Sequence, residues 1–173
     1  MTEIRLVQGD ITTFDVDAVV NAANRALAGG SGVDGAIHRV GGPAVMADLA
    51  RRYGRSRHCP TGSAVVSDAG DLPARVVIHA VGPVWGGGSA GEPDLLASAY
   101  RTSLDLAADE GCRTVAFPSI STGAYGYPVE QAAGIALRTV EEWVAEHPDV
   151  LESITFVLFS AASLAAFERA RGV

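Results

Sequence analysis

The chain has 173 residues, is 48% hydrophobic and carries a formal net charge of −7, which suits one globular unit spanning residues 1–173. The acidic balance argues against general nucleic-acid binding, because that depends on cations neutralising phosphates. All 13 basic residues are arginine and lysine is absent, which excludes a Walker-type phosphate lysine, a Schiff base and lysine-centred covalent catalysis.

The apolar run Ile4–Val7 predicts a first strand, followed by Gly9-Asp10-Ile11-Thr12. Asp10 reads either as a turn residue or as a carboxylate that accepts from an exocyclic amine such as that of adenine. Ala18–Asn21 predicts a second strand, leading into Asn21-Ala22-Ala23-Asn24. Asparagine there suits a turn, yet the carboxyl end of a strand is also where α/β sheets bind ligands, and an amide can both donate to and accept from a sugar hydroxyl.

The stretch from Gly29 to His38 then places four glycines in seven residues before a short predicted helix, Asp34–Val40. Such backbone can approach a ligand closely, and the first amides of a helix attract anions. Asp34 stands at that helix start, where an N-cap is the simplest role; a carboxylate beside an anion site is costly unless it has a task. His38, four residues on, shares its helix face and is either packed structurally or part of the site.

A break at Gly41-Gly42 precedes a predicted helix at Pro43–Tyr53, and Ser63–Ser67 predicts a short strand. Val76–Val81 predicts another strand and Asp94–Glu110 a helix with apolar residues at helical spacing. Thr114–Pro118 is a further strand, after which Pro118 to Pro128 forms a strand–loop–helix passage. In it Ser121 and Thr122 offer hydroxyls, Gly123 and Gly126 let the backbone wrap, and Tyr125 offers an aromatic face; a capped turn filled by core aromatics is the alternative. Helix Pro128–His147, strand Ile154–Phe159 and helix Ala161–Arg171 complete the chain. Phe159 is either core or a ring for stacking on a base.

Apolar strands alternating with helices predict a three-layer α/β/α sandwich around a central mixed, mostly parallel sheet of about six strands. Two glycine-rich loops at strand ends, in a chain without lysine, favour a diphosphate ligand held by backbone amides, helix ends or arginine. Cys59 and Cys112 read as buried reduced thiols, and no cluster has metal-ligand spacing, so no metal or cofactor is expected. With no apolar run of eighteen residues and no signal-peptide pattern, a cytoplasmic protein without a membrane partner is expected. A generic dinucleotide-binding domain is disfavoured, since no GxGxxG fingerprint follows the first strand.

Taken together, GDI at Asp10, NAAN ending at Asn24, GGSGVDGAIH and PSISTGAYGYP, in this order and over nearly the whole chain, closely resemble MacroD-type macrodomains. Ile78-His79-Ala80-Val81-Gly82-Pro83 looks like another stretch of that family. A monomer is expected, and the resemblance implies that it binds ADP-ribose, with Asp10 on the adenine amine, Ile11 beside it and Phe159 on the adenine ring. It places Ser121 to Tyr125 around the diphosphate, facing Gly32 and Val33, with Tyr125 also near the distal ribose. Asn24 and Asp34 fall where active members handle the distal ribose, and His38 lies close by.

Implied substrates are ADP-ribosylated acidic side chains and O-acetyl-ADP-ribose, whose distal-ribose ester water can cleave; the alternative is a reader that binds ADP-ribose without cleaving it. Asn24 would orient the ribose, and Asp34 would position or deprotonate the water or stabilise charge at the sugar. Ser31 departs from the family's usual glycine, which would strain the loop only if that position needs a positive φ.

Overall fold

A computed structural model describes residues 1–172. Its strands are β1 (Glu3–Gln8), β2 (Val16–Ala22), β3 (Ala64–Asp68), β4 (Ala74–Ala80), β5 (Thr114–Phe117) and β6 (Ser153–Leu158). Its α-helices are α1 (Gly32–Gly41), α2 (Pro43–Tyr53), α3 (Glu92–Asp109), α4 (Val129–Glu146) and α5 (Ala161–Arg171). The sheet order is β1-β6-β5-β2-β4-β3, and every neighbouring pair is parallel except β3 with β4.

Successive strand residues point to opposite faces, and here both faces are covered, which is why the runs are continuously apolar. On one face Val20, Ile78, Phe117 and Phe156 pack against Tyr100 of α3, Trp143 of α4 and Phe167 of α5. On the other, Val19, Val77, Ala116 and Val157 meet Ile37 of α1. Helix α2 covers a third cluster through Leu49, packed with Ala23, Leu27, Cys59 and Val81. The result is the expected three-layer α/β/α sandwich.

Several boundaries differ from the sequence reading. Helix α1 begins at Gly32, and Ser31 is its N-cap residue, with extended backbone and no side-chain cap bond. Asp34 therefore lies inside the first turn and is not the cap. Strand β6 ends at Leu158, leaving Phe159 outside it and 84% exposed. Strand β4 stops before Val81, and β5 stops before Pro118, which has no N–H for the ladder. Helix α3 starts earlier, at Glu92 with Pro93 in the first turn, whereas α4 starts at Val129 with Pro128 as its N-cap residue. The strand expected at Ser63–Ser67 is shifted by one residue to Ala64–Asp68.

Cys59 and Cys112 are free and buried, and burial raises both thiol pKa values, keeping the sulfurs protonated and inert. No helix among the described residues is long and apolar enough to cross a membrane.

The topology fixes what lies along one edge. The five parallel strands present their carboxyl ends there, followed in sheet order by Asp10 after β1, Phe159 after β6, the 118–128 loop after β5, Asn24 after β2 and Gly82 after β4. Antiparallel β3 begins at the same edge, Ala64 standing opposite Ala80, with Thr61 just before it.

Candidate functional site

The two glycine-rich loops meet over the middle of this edge. They line one cleft of about 290 Å³, with Gly30 and Gly32 on one side, Gly123 and Tyr125 on the other, and Asn24 and Gly82 between them. The first-turn amides of α1 have no intrahelical acceptor and Ser31 contributes no side-chain cap, so they form a positive helix end beside the cleft.

Asp34 lines this cleft although its side chain is only 8% exposed. Its Oδ1 accepts from Asn21 Nδ2 at 2.8 Å and lies 3.3 Å from His38 Nε2. Its Oδ2 faces Gly30: a Cβ added at Gly30 would lie 3.2 Å from Asp34 Oδ2 and 4.0 Å from Asn24 Nδ2. The missing side chain of Gly30 thus leaves room for a small group between Asp34 and Asn24. Gly35 allows the loop to fold this tightly, since a Cβ there would lie 2.6 Å from the Gly30 carbonyl oxygen.

Behind Asp34 runs a buried relay whose donor directions are determined. Asn21 Nδ2 gives one hydrogen to Asp34 and the other to His79 Nδ1, 3.1 Å away. Rotating that amide would set its oxygen against the Asp34 carboxylate. With Nδ1 accepting, the His79 proton sits on Nε2 and is donated to Ser67 Oγ at 2.8 Å, while the Ser67 hydroxyl donates to the Asp68 carbonyl at 3.0 Å. His79 is therefore neutral. Burial, and secondarily the nearby His38, hold its pKa down to about 3 against the opposing pull of Asp34.

The unfolded chain protonates this histidine near pH 6.5, whereas the folded protein refuses the proton until about pH 3. Between those values the unfolded state binds more protons, so stability falls as pH falls, by about 1.4 kcal/mol per pH unit. Calorimetric melting from pH 7 to pH 4.5 is expected to show this slope, and His79→Gln to flatten it; equal slopes in the two proteins would contradict the assignment.

Asn24 is held by its own loop, Nδ2 donating to the Gly29 carbonyl at 2.9 Å and Oδ1 accepting from the Ala28 amide at 3.1 Å. One amide hydrogen and one lone pair remain for a ligand. Across the cleft, Ser121 takes φ +70°, a left-handed conformation costing about 1–2 kcal/mol for a non-glycine residue. The Tyr127 amide, donating to the Ser121 carbonyl at 3.0 Å, helps hold it there. Ser121 can sit so low because Gly82 has no side chain: a Cβ at Gly82 would fall 2.1 Å from Ser121 Oγ.

Of the residues singled out from sequence, Asn24, Gly32, Val33, Asp34, Ser121, Gly123, Ala124 and Tyr125 line the cleft. His38 lies behind Asp34, its ring stacked on His79 with centroids 5.9 Å apart. The Thr122 hydroxyl turns away to the Ser119 carbonyl and Oγ. Asp10, Ile11 and Phe159 lie further along the edge, over β1 and β6. Asp10 is exposed, and its Oδ1 accepts from the amide and hydroxyl of Thr12, which lowers its pKa; Oδ2 is left for other donors. Ile11 is buried beneath it.

Ser31 has φ −102°, so serine there causes no backbone strain. Sequence reasoning named Asn21, His79 and Gly82 within their stretches but did not foresee that Asn21 and His79 support Asp34 or that Gly82 makes room for Ser121. The available signal was a polar residue inside each of two apolar strand runs, and a glycine directly after one of them. Among the described residues no group of three His, Cys, Asp or Glu side chains could hold a metal.

Residues 20–136 match the family model described as Macro domain. An O-acetyl-ADP-ribose deacetylase of Escherichia coli K12 is 50% identical over 168 residues, covering 97% of this chain and 94% of that protein. Among solved structures, the Oceanobacillus iheyensis macrodomain with ADP superposes with a TM-score of 0.89 at 38% identity, covering 96% of this chain and 88% of the other. The Trypanosoma brucei macrodomain in complex with ADP-ribose gives 0.88 at 40% identity, covering 98% of this chain and 69% of the other.

Proposed function

Because the chain belongs to the Macro domain family, we propose that it binds ADP-ribose and hydrolyses esters on the distal ribose, deacetylating O-acetyl-ADP-ribose and releasing ADP-ribose from acidic side chains of proteins. The observation that carries this reading is the placement of Asp34, held on Oδ1 by Asn21 and turned through Oδ2 toward Asn24 across Gly30. A binding module has little use for a buried carboxylate supported in this way.

In this reading the diphosphate lies between the first turn of α1 and the Ser121–Tyr125 loop, where backbone amides replace the missing lysines. Its volume of about 290 Å³ is at the small end of ligand pockets, so the cleft encloses only part of the ligand. The adenosine then runs along the open edge toward β6 and β1, its ring against exposed Phe159 and its amine on Asp10, with Ile11 beside it. The distal ribose falls between Asn24 and Asp34, with Tyr125 packed near it.

Asn24 orients the sugar hydroxyls, and Asp34 takes a proton from a water aimed at the ester. Water oxygen bonds to the acyl carbon, the acyl–oxygen bond breaks, and the ribose oxygen leaves with a proton, giving a carboxylic acid and ADP-ribose. His38 and Asn21 hold Asp34 for this task, and the step calls on no cofactor.

Incubating the protein with O-acetyl-ADP-ribose and, separately, with a protein mono-ADP-ribosylated on glutamate tests the proposal by mass spectrometry. Release of ADP-ribose from both is expected. Tight ADP-ribose binding with neither substrate consumed would make the protein a reader and not an enzyme.

A further inference from the structure

A second cleft, also of about 290 Å³, continues from the first and shares Gly82 and Tyr125 with it. We propose that it is the acyl-side subsite of the same enzyme, shaped for a peptide whose carboxylates flank the esterified side chain and selected by Arg25. This rests on the hydrolase reading above and extends it to a choice among substrates.

Direction along the sheet edge is the first argument. With adenosine over β1 and β6, the diphosphate over β5 and the distal ribose over β2, whatever is esterified to that ribose must continue past β4 toward β3. That is where Thr61, Pro83 and Val84 line the second cleft. Its walls are fixed by the Trp85 amide donating to the Tyr125 carbonyl at 2.8 Å, the Gly62 amide to the Val81 carbonyl at 2.7 Å and Ser98 Oγ to the Gly62 carbonyl at 2.6 Å.

Charge is the second. The cleft holds two ionised residues, Arg25 and Glu92. Glu92 is buried, and its two oxygens already accept from the amides of Gly86, Gly88 and Ala90 at 2.7–2.9 Å. Those amides hold its pKa down to about 2, Gly88 contributing most. Arg25 is exposed and has no carboxylate within 4.0 Å among the described residues. It lines the cleft that continues from the one holding Asn24 and Asp34, so a cation without a carboxylate partner stands on the acyl side in a chain whose net charge is −7. An acetyl group carries no charge for it to pair with, whereas an acidic peptide brings carboxylates into the same cleft.

The test compares steady-state hydrolysis of O-acetyl-ADP-ribose with that of two glutamate-ADP-ribosylated peptides, one flanked by Asp and Glu and one by Ser and Gly, in the full chain and in Arg25→Glu. The native protein is expected to prefer the acidic peptide, and the preference to shrink with added salt. Arg25→Glu raises the KM of the acidic peptide about fivefold at unchanged kcat, and shifts the neutral peptide and O-acetyl-ADP-ribose by less than about twofold. Val84→Glu, at another residue lining this cleft and 63% exposed at the native residue, moves the acidic peptide in the same direction. Equal changes for all three substrates, or no native preference, would overturn the subsite while leaving the hydrolase reading intact. Failure of the native protein to hydrolyse any of them would overturn both.

Discussion

Replacing Asp34 by alanine is expected to lower hydrolysis of O-acetyl-ADP-ribose by about 10²–10⁴-fold, the usual contribution of a general base, while ADP-ribose affinity stays within about threefold. The two effects separate because the carboxylate is aimed at the small space beside Gly30, and the groups proposed to hold the phosphates are backbone amides elsewhere in the cleft. A loss confined to kcat marks an interaction made only in the transition state.

Some stability is lost as well. Asn21 Nδ2 is buried and donates to Asp34 Oδ1, and leaving such a donor without its acceptor costs about 1–3 kcal/mol. Asp34→Asn keeps the volume and separates charge from packing: turnover falls as far as in the alanine variant, with ligand affinity retained. Calorimetric titration with ADP-ribose alongside the kinetic assay reads both quantities. Turnover at the native rate in either variant would remove Asp34 from the mechanism.

Gly82→Ala is expected to weaken ADP-ribose binding by about 10–100-fold through a residue that makes no polar contact of its own. The added methyl would lie 2.1 Å from Ser121 Oγ and 2.5 Å from Ile120 Cγ2, so the loop that carries Gly123 and Tyr125 must rise. Overpacking of this kind costs about 1–3 kcal/mol, and a displaced loop no longer presents its amides to the diphosphate. Gly134→Ala in α4 is the control, because a Cβ there meets nothing within 4 Å and helix propensity favours alanine by about 1 kcal/mol. The control should melt slightly higher and bind normally. Native affinity in Gly82→Ala would mean that the loop height does not matter.

The layered fold was readable because strands buried on both faces must be predominantly apolar, as in Val76–Val81, where His79 is the exception, and Thr114–Pro118, and helices must alternate with them. The convergence of the two glycine loops was also legible, since both follow strands that proved parallel and so end at the same edge. Less could be read of the support around Asp34. Asn21 and His79 stand on adjacent strands in direct register, and only that pairing, invisible in a linear sequence, brings a remote histidine to the back of the carboxylate. The strained φ of Ser121 was hidden for a related reason. It depends on the empty space over Gly82, thirty-nine positions away by subtraction of residue numbers. Ser31 shows the opposite outcome: a departure from the family pattern lies in ordinary extended backbone and costs nothing.

A crystal structure with ADP-ribose bound addresses the central claim most directly. The account predicts the distal ribose between Asn24 and Asp34, the diphosphate against the first turn of α1 and the Ser121–Tyr125 loop, and the adenine at Phe159. A ligand lying in the reverse direction, with adenine beside Asp34, would contradict it.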